Sequence, residues 1–394
     1  MSAIDSIMRH LHYLADQVGP RGSTTPKEAE AADYAETVYR QLGLRPVRQP
    51  VTSARSAWHG YGLGAGIFLL AEVALLAGGR IGAAVAALMA LVALVSLLLE
   101  LYFTSNPLRW FLPKGPSQNV YAVIPPRGEV RQKLVIVGHL DTHRTPLVFS
   151  SRRWLFAYRW LTLVGIAAVV VNTLLYLYIV LGGPSGVRLL TIPPSGALTL
   201  FLLMSLQADS TEYSTGANDN GTGAAMVFGL AERLVETPLA HTEVWALSSG
   251  CEEVGCYGAD TFLRENRDEL GEAYFLTIDS VGGPEADLTY FTRQALIYPF
   301  HSDPQMLALA GRVTDEHPEL GARGVRMVGA RTEGALATKH GLRSLSIVNL
   351  AKTGIVPPHW HQPSDVVENI DTGLMVRTER FTWELIQALD QDTA

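Results

Sequence analysis

The chain has 394 residues, enough for one large α/β domain with additions or for two ordinary domains. Hydrophobic residues make up 48% and charged residues only 18%, against roughly 25% charged in a soluble globular protein, so part of the chain is expected in lipid. A formal net charge of -7 argues against nucleic acid as a partner, because phosphate binding needs a concentrated basic face.

Residues 4–18 have apolar positions at helical spacing and lack the continuous apolar stretch of a secretory signal. After the turn at Gly19, Pro20, Arg21 and Gly22, a second helix is predicted over 26–43, capped by Thr24 or Thr25 and stopped by Gly43. Composition then changes. Two apolar runs, 61–79 and 81–103, flank Arg80, and the second carries a single acid, Glu100. A run apolar on every side for more than 20 residues fits a bilayer-crossing helix; the alternative, a buried core helix, rarely stays apolar all round for that long. A third run covers 161–181, and a weaker fourth, 187–207, is interrupted by Pro193 and Pro194.

Two strands, 119–124 and 133–138, are predicted between the apolar blocks, joined by a Pro-Gly turn. Beyond Asp209, helices and strands alternate: helix 224–235, strand 242–247, helix 259–265, strand 273–278, helix 304–316, strand 344–348 and a last helix over 372–389. That order predicts a doubly wound sheet. The two cysteines, Cys251 and Cys256, flank an acidic pair and exclude a disulfide framework; two half-buried thiols beside a site are expected.

Acidic and imidazole groups fall at strand ends or in the turns after strands, where open α/β sheets bind ligands. They are His139 with Asp141, Asp219, Glu252 with Glu253, Asp279, and His361 with Asp365. A dinuclear zinc site needs such an inventory: imidazoles and carboxylates at the metals, one bridging carboxylate, and one unligated carboxylate to take a proton. Singly, each group has a structural alternative; an HxD can be a hydrogen-bonded pair at a strand end, and two adjacent glutamates a solvated helix start.

The stretches VGHLDTH, STGANDNGTGAA, GCEEVGCYGAD, LTIDSVGG and HWHQPSDVVENID, taken in this order, resemble zinc metallopeptidase family twenty-eight, the aminopeptidase Y and glutaminyl-cyclase-like enzymes. QVGPRGSTTP near the N-terminus belongs to the same resemblance. It implies a phosphorylase/hydrolase-like zinc exopeptidase fold, a central mixed, mostly parallel sheet flanked by helices. It also implies two Zn2+ ions, His139 and Asp279 on one, Glu253 and His361 on the other, with Asp219 bridging. Glu252 would be the general base and Asp141 would accept the other ring proton of His139. His361 is preferred to His359 because its spacing to Asp365 matches the family. The bond between Asp219 and Asn220 is expected to be cis. Two departures stand out: Trp360 where several relatives have a tyrosine as oxyanion donor, and Thr332-Glu333 where relatives have a Ser-Asp or Thr-Asp step.

The family keeps its first histidine and bridging aspartate close in sequence, whereas here the third and fourth apolar runs separate His139 from Asp219. An insertion that enters a bilayer and returns must cross it an even number of times. Expected, therefore, are peptidase segments at 1–53, 118–143 and 208–394, and transmembrane hairpins at 54–117 and 144–207. Arg55, Arg109, Lys114, Arg144, Arg152, Arg153 and Arg159 flank the peptidase side of the spans, against Arg80 and Arg188 at the far turns. By the positive-inside rule this multi-pass protein presents its catalytic domain to the cytoplasm. Within the spans, Glu72 is either functional or hydrogen-bonded inside the bundle, and Asn172 is expected to bond between helices. The predicted activity is removal of N-terminal residues from peptides. Glutaminyl cyclisation and a non-catalytic receptor-like module are the rivals; oligomeric state is not legible.

Overall fold

The computed structural model describes residues 3–392 apart from 296 and 353. It divides into two units, one of Met1–Arg55, Lys114–His143 and Tyr213–Ala394, the other of Ser56–Pro113 and Arg144–Glu212.

The first unit is an α/β domain. Its strands are β1 (Val47–Ala54), β2 (Lys114–Ile124), β3 (Gln132–His139), β4 (Thr242–Ser249), β5 (Tyr274–Asp279), β6 (Ala286–Asp287), β7 (Thr289–Gln294), β8 (Phe300–His301), β9 (Arg323–Arg326), β10 (Arg343–Val348) and β11 (Leu350–Ala351). The main sheet runs β1-β2-β4-β3-β5-β10-β7-β8, with β9 beside β7, while β11 and β6 form a separate ribbon. β4, β3, β5 and β10 are parallel neighbours, and β1, β2 and β8 extend the sheet antiparallel. Leu134, Val135, Ile136 and Val137 of β3 are wholly buried. Such a continuous apolar run is what a parallel strand covered on both faces requires.

Helices Ala3–His12, Pro26–Gln41, Gly223–Glu236 and Thr372–Gln391 share one apolar core with the sheet. The first continues as a π-wound turn, Tyr13–Val18, and the second is capped by Thr25, whose hydroxyl accepts from the Glu28 N–H at 3.4 Å. β1 escaped the sequence reading. Its Pro50 removes a ladder donor, which an edge strand tolerates, and only its pairing with β2 defines it.

The second unit holds four long apolar helices, Trp58–Ala77, Gly79–Leu101, Arg152–Val180 and Ile192–Asp209. Trp58–Ala77 packs on Gly79–Leu101 and Ile192–Asp209, and Arg152–Val180 packs on the same two. Pro193 and Pro194 do not interrupt the fourth helix. They lie in its first turn, where an N–H has no partner to lose. Small residues such as Ala71, Ala83, Ala86, Ala90 and Ala168 fill the interior, while Leu70, Leu88, Leu174 and Leu206 point outward. Phe68, Leu75, Tyr176 and Leu198 are buried among these alanines, and the large aliphatic side chains on the outside suit a hydrocarbon solvent. Glu72 is hydrogen-bonded inside the bundle, accepting from Tyr176 Oη at 2.8 Å, Thr191 Oγ1 at 2.6 Å and Ser195 Oγ at 3.1 Å. Asn172 Nδ2 donates to Ser195 Oγ at 3.0 Å, joining the third and fourth helices.

Candidate metal centre

Parallel register brings the site together. His139 ends β3 opposite Ser249, the last residue of β4, and the turn after β4 carries Glu252 and Glu253. On the other side β3 pairs with β5, whose last residue is Asp279.

His139 is buried, and its Nδ1–H donates to the carbonyl of Asp141 at 3.0 Å. That bond fixes Nδ1 as the donor on that side and leaves Nε2 facing Asp219 Oδ1 at 3.5 Å and Glu252 Oε2 at 4.0 Å. Burial works against charging His139, but the surrounding carboxylates outweigh it and hold the imidazole well above its ordinary value. The Asp141 carboxylate lies 3.5 Å from Nδ1 and has another task. It accepts the main-chain N–H groups of Glu252 at 3.0 Å and Glu253 at 3.1 Å, and the Ser23 hydroxyl at 2.6 Å.

Asp219 lies in the loop before helix Gly223–Glu236, and its bond to Asn220 is cis. Main-chain N–H groups of Asn218 and Asp219 donate to the buried Asp365 carboxylate at 2.6 and 3.1 Å. Asn220 ties the same loop to the end of β5, donating to the Ile278 carbonyl and accepting from Ser280 N–H. A Cβ on Gly223 would meet the Ile278 carbonyl at 2.1 Å, so only glycine lets the helix start this close to β5. Held in this way, Asp219 presents Oδ1 to His139 and Oδ2 to His361 Nε2 at 3.2 Å. Burial acts to raise the Asp219 pKa, but the two imidazoles outweigh it and hold the carboxyl below the usual range.

His361 Nε2 also lies 3.3 Å from Glu253 Oε2. Burial lowers the His361 pKa, while the Glu253 and Asp219 carboxylates raise it to about 9. Burial pushes Glu253 up to about 7 and, with the Asp219 charge, Asp279 up to about 6. Glu252 is raised well above the carboxylate range by burial and accepts from the Cys256 thiol at 3.3 Å on Oε1. Both cysteines are buried free thiols.

Donor atoms of His139, Asp219 and Glu253 lie within 4.8 Å of one another, as do those of His143, Glu253 and His361. Among the described residues Asp279 joins neither trio; its Oδ1 accepts from the Ser280 hydroxyl at 2.9 Å. Glu253 Oε1 is buried without a hydrogen-bond donor, and Asp219 Oδ2 has only the ion-pair contact with His361 Nε2 at 3.2 Å. Buried carboxylate oxygens left in that state are costly unless a cation serves them. Imidazole nitrogen with carboxylate oxygen is a donor set that suits zinc.

Three residues that the sequence reading gave no role also stand here. Arg21, wholly buried, spreads its guanidinium over the carbonyls of Leu14, Gly19, Leu140, Thr215 and Gly216, joining the N-terminal turn to the loops of Asp141 and Asp219. Glu333, also wholly buried, accepts from the Ser249 hydroxyl and is raised to about 7 by burial. His143 stacks on His361. Only the motifs QVGPRGSTTP and VGHLDTH could have pointed to Arg21 and His143.

The fold and this cluster define an α/β domain with a metal-suited centre at the carboxyl ends of its parallel strands. Residues 190–386 match Peptidase family M28, half of the chain, and the chain belongs to that family. Asp219, Glu253, Asp279 and His361 fall inside the matched segment, and His139 precedes it. No curated protein matches the chain. Among solved structures, a leucine aminopeptidase precursor from Bacteroides thetaiotaomicron superposes with a TM-score of 0.59 at 11% identity, over 98% of this chain and 96% of its own. A glutaminyl cyclase from Tannerella forsythia gives 0.58 at 13%, covering 98% of each chain. BSAP, a zinc aminopeptidase from Bacillus subtilis, gives 0.58 at 12%, over 97% of this chain and 94% of its own. At these identities the likeness is one of fold.

Proposed function

We propose that this protein is a membrane-anchored zinc exopeptidase that removes N-terminal residues from peptides. The observation that carries the reading is the convergence on Asp219, whose two carboxylate oxygens face His139 on one side and His361 on the other. His139 and Asp279 would hold one Zn2+ and Glu253 and His361 a second, with Asp219 between them; Glu253 stands close enough to serve both. Bound there, zinc supplies a Lewis acid for the scissile carbonyl and a water acidified toward neutral pH.

The chain's own residues supply the rest. Glu252, its Oε1 engaged by Cys256, keeps Oε2 on the His139 side and takes the proton of the attacking water there. The same carboxyl then returns that proton to the leaving amine. Asp141 holds both glutamates by their backbone, and Asp365 holds the Asp219 loop.

The two helical hairpins would cross a lipid bilayer, and the excess of arginine and lysine beside the peptidase segments supports a cytoplasmic catalytic unit by the positive-inside rule. The deciding experiment assays detergent-purified protein on aminoacyl, acyl-blocked and N-terminal glutaminyl peptides, with metal analysis. Zinc near two per chain, release of free N-terminal residues and a Glu252→Gln variant slowed about 10²–10⁴-fold in kcat with its zinc intact are expected. Glutaminyl cyclisation without hydrolysis would replace this reading by the cyclase one, and absence of both activities by a receptor-like role.

A further inference from the structure

Keeping Nε2 of His361 between Asp219 and Glu253 takes a restraint on the rotation of its side chain. Two aromatic rings provide it. The His143 imidazole lies 3.7 Å from that of His361 at 13° between planes, and the Trp360 ring 4.0 Å away at 30°. Two rings this near and this parallel cannot share one face of an imidazole, so His143 and Trp360 cover opposite faces. The covered ring cannot turn about its Cβ–Cγ bond.

His143 is suited to be the fixed jaw. It is 7% exposed, its carbonyl accepts the Ser214 N–H at 2.9 Å, and the N–H of neighbouring Thr142 donates to the Arg21 carbonyl at 3.3 Å. Direct ligation is the competing role, since a ring nitrogen of His143 lies within 4.8 Å of donor atoms on Glu253 and His361. Ring planes decide between them. An imidazole lone pair lies in the ring plane, and two nearly parallel stacked rings direct their lone pairs side by side instead of onto one ion.

We propose that His143 is a positioning residue whose ring face clamps His361 in the orientation that zinc requires; the inference rests on the zinc reading of the site. The test uses the full-length protein in detergent with two variants. His143→Phe keeps a flat ring without nitrogen, and His143→Ala removes both. Zinc affinity is measured by chelator competition, alongside thermal unfolding of the zinc-free proteins. Expected are about 10–100-fold weaker zinc binding in His143→Ala, binding within a few-fold of wild type in His143→Phe, and closely similar zinc-free melting. A phenylalanine variant as weak as the alanine one assigns the work to the ring nitrogen and overturns the clamp. Wild-type affinity in the alanine variant overturns it too. Wild-type protein that takes up no zinc removes the functional reading and the clamp together, which separates the two failures.

Discussion

Asp141 Oδ1 accepts the main-chain N–H of Glu252 at 3.0 Å. The side chain therefore acts on the turn after β4 more directly than on the histidine two residues before it, whose Nδ1–H goes to the Asp141 carbonyl. Exchanging the carboxylate for an amide puts an NH2 group either against the Glu252 N–H or against the Glu253 N–H and the Ser23 hydroxyl, so a main-chain donor of the turn loses its acceptor. Asp141→Asn is expected to lower kcat/KM by about 10–100-fold, while the carbonyl bond keeps Nδ1 of His139 as a donor. Steady-state kinetics with parallel zinc analysis checks this. Unchanged kcat/KM would remove the role assigned to the carboxylate.

Arg21 gives a stability prediction. Its guanidinium serves five carbonyls with no exposure to water, and burial lowers its pKa to about 10 without neutralising it at pH 7. Methionine fills a similar volume but leaves those acceptors bare. Arg21→Met is expected to cost at least about 3 kcal/mol, the scale of a broken buried charged network. Arg21→Lys, with three donors on one atom, should lose less. Denaturant titration of the zinc-free proteins ranks the three, and a methionine variant as stable as wild type contradicts the assignment.

Asp390 provides a pH test away from the metal centre. Its carboxylate accepts the N–H groups of Ala240, His241 and Thr242 at 2.7, 2.9 and 2.9 Å, and the Thr242 hydroxyl at 2.8 Å. Burial acts to raise its pKa, but these donors outweigh it and hold the group below the ordinary aspartate value. A depressed carboxylate stabilises the fold fully above the unfolded pKa, near 3.9, and loses that contribution as pH falls through the lower folded value. Asp390→Asn is therefore expected to destabilise by about 1.5–3 kcal/mol at neutral pH, the range for hydrogen bonds to a charged group. The gap should narrow in acid. Melting curves of both proteins between neutral pH and pH 3 test it, and a gap independent of pH would contradict the linkage.

How far the sequence reached depended on the range of the signal. Helices with a periodic apolar stripe, such as Pro304–Glu316, and the buried parallel strands were legible because local pattern and burial agree. β1 and β7 were not, since partners distant in the chain define them. Family motifs placed His139, Asp219, Glu253 and His361 near one another, and that juxtaposition is observed. Arg21 acts through backbone carbonyls that leave no characteristic spacing, and Glu333, marked in the sequence only as a departure from the family's Ser-Asp or Thr-Asp step, acts through a single hydroxyl. The stacking of His143 on His361 joins loops 218 residues apart by the difference 361 − 143, and no local pattern encodes it.

Glu72 makes the last prediction. In the helical bundle its carboxylate collects the hydroxyls of Tyr176, Thr191 and Ser195, and through Ser195 it reaches Asn172. Two residues from the third helix, one from the turn that follows it and one from the fourth thus depend on one acceptor in the first. On the proposed bilayer reading, hydrogen bonds between such helices contribute about 0.6 kcal/mol each, so three lost acceptances amount to about 2 kcal/mol. Glu72→Leu removes every acceptor and should show that loss in detergent unfolding of the full chain. Glu72→Gln keeps an acceptor oxygen and should lose less, and neither variant should change zinc content. Should leucine stabilise the bundle instead, the carboxylate is retained for something other than holding helices together.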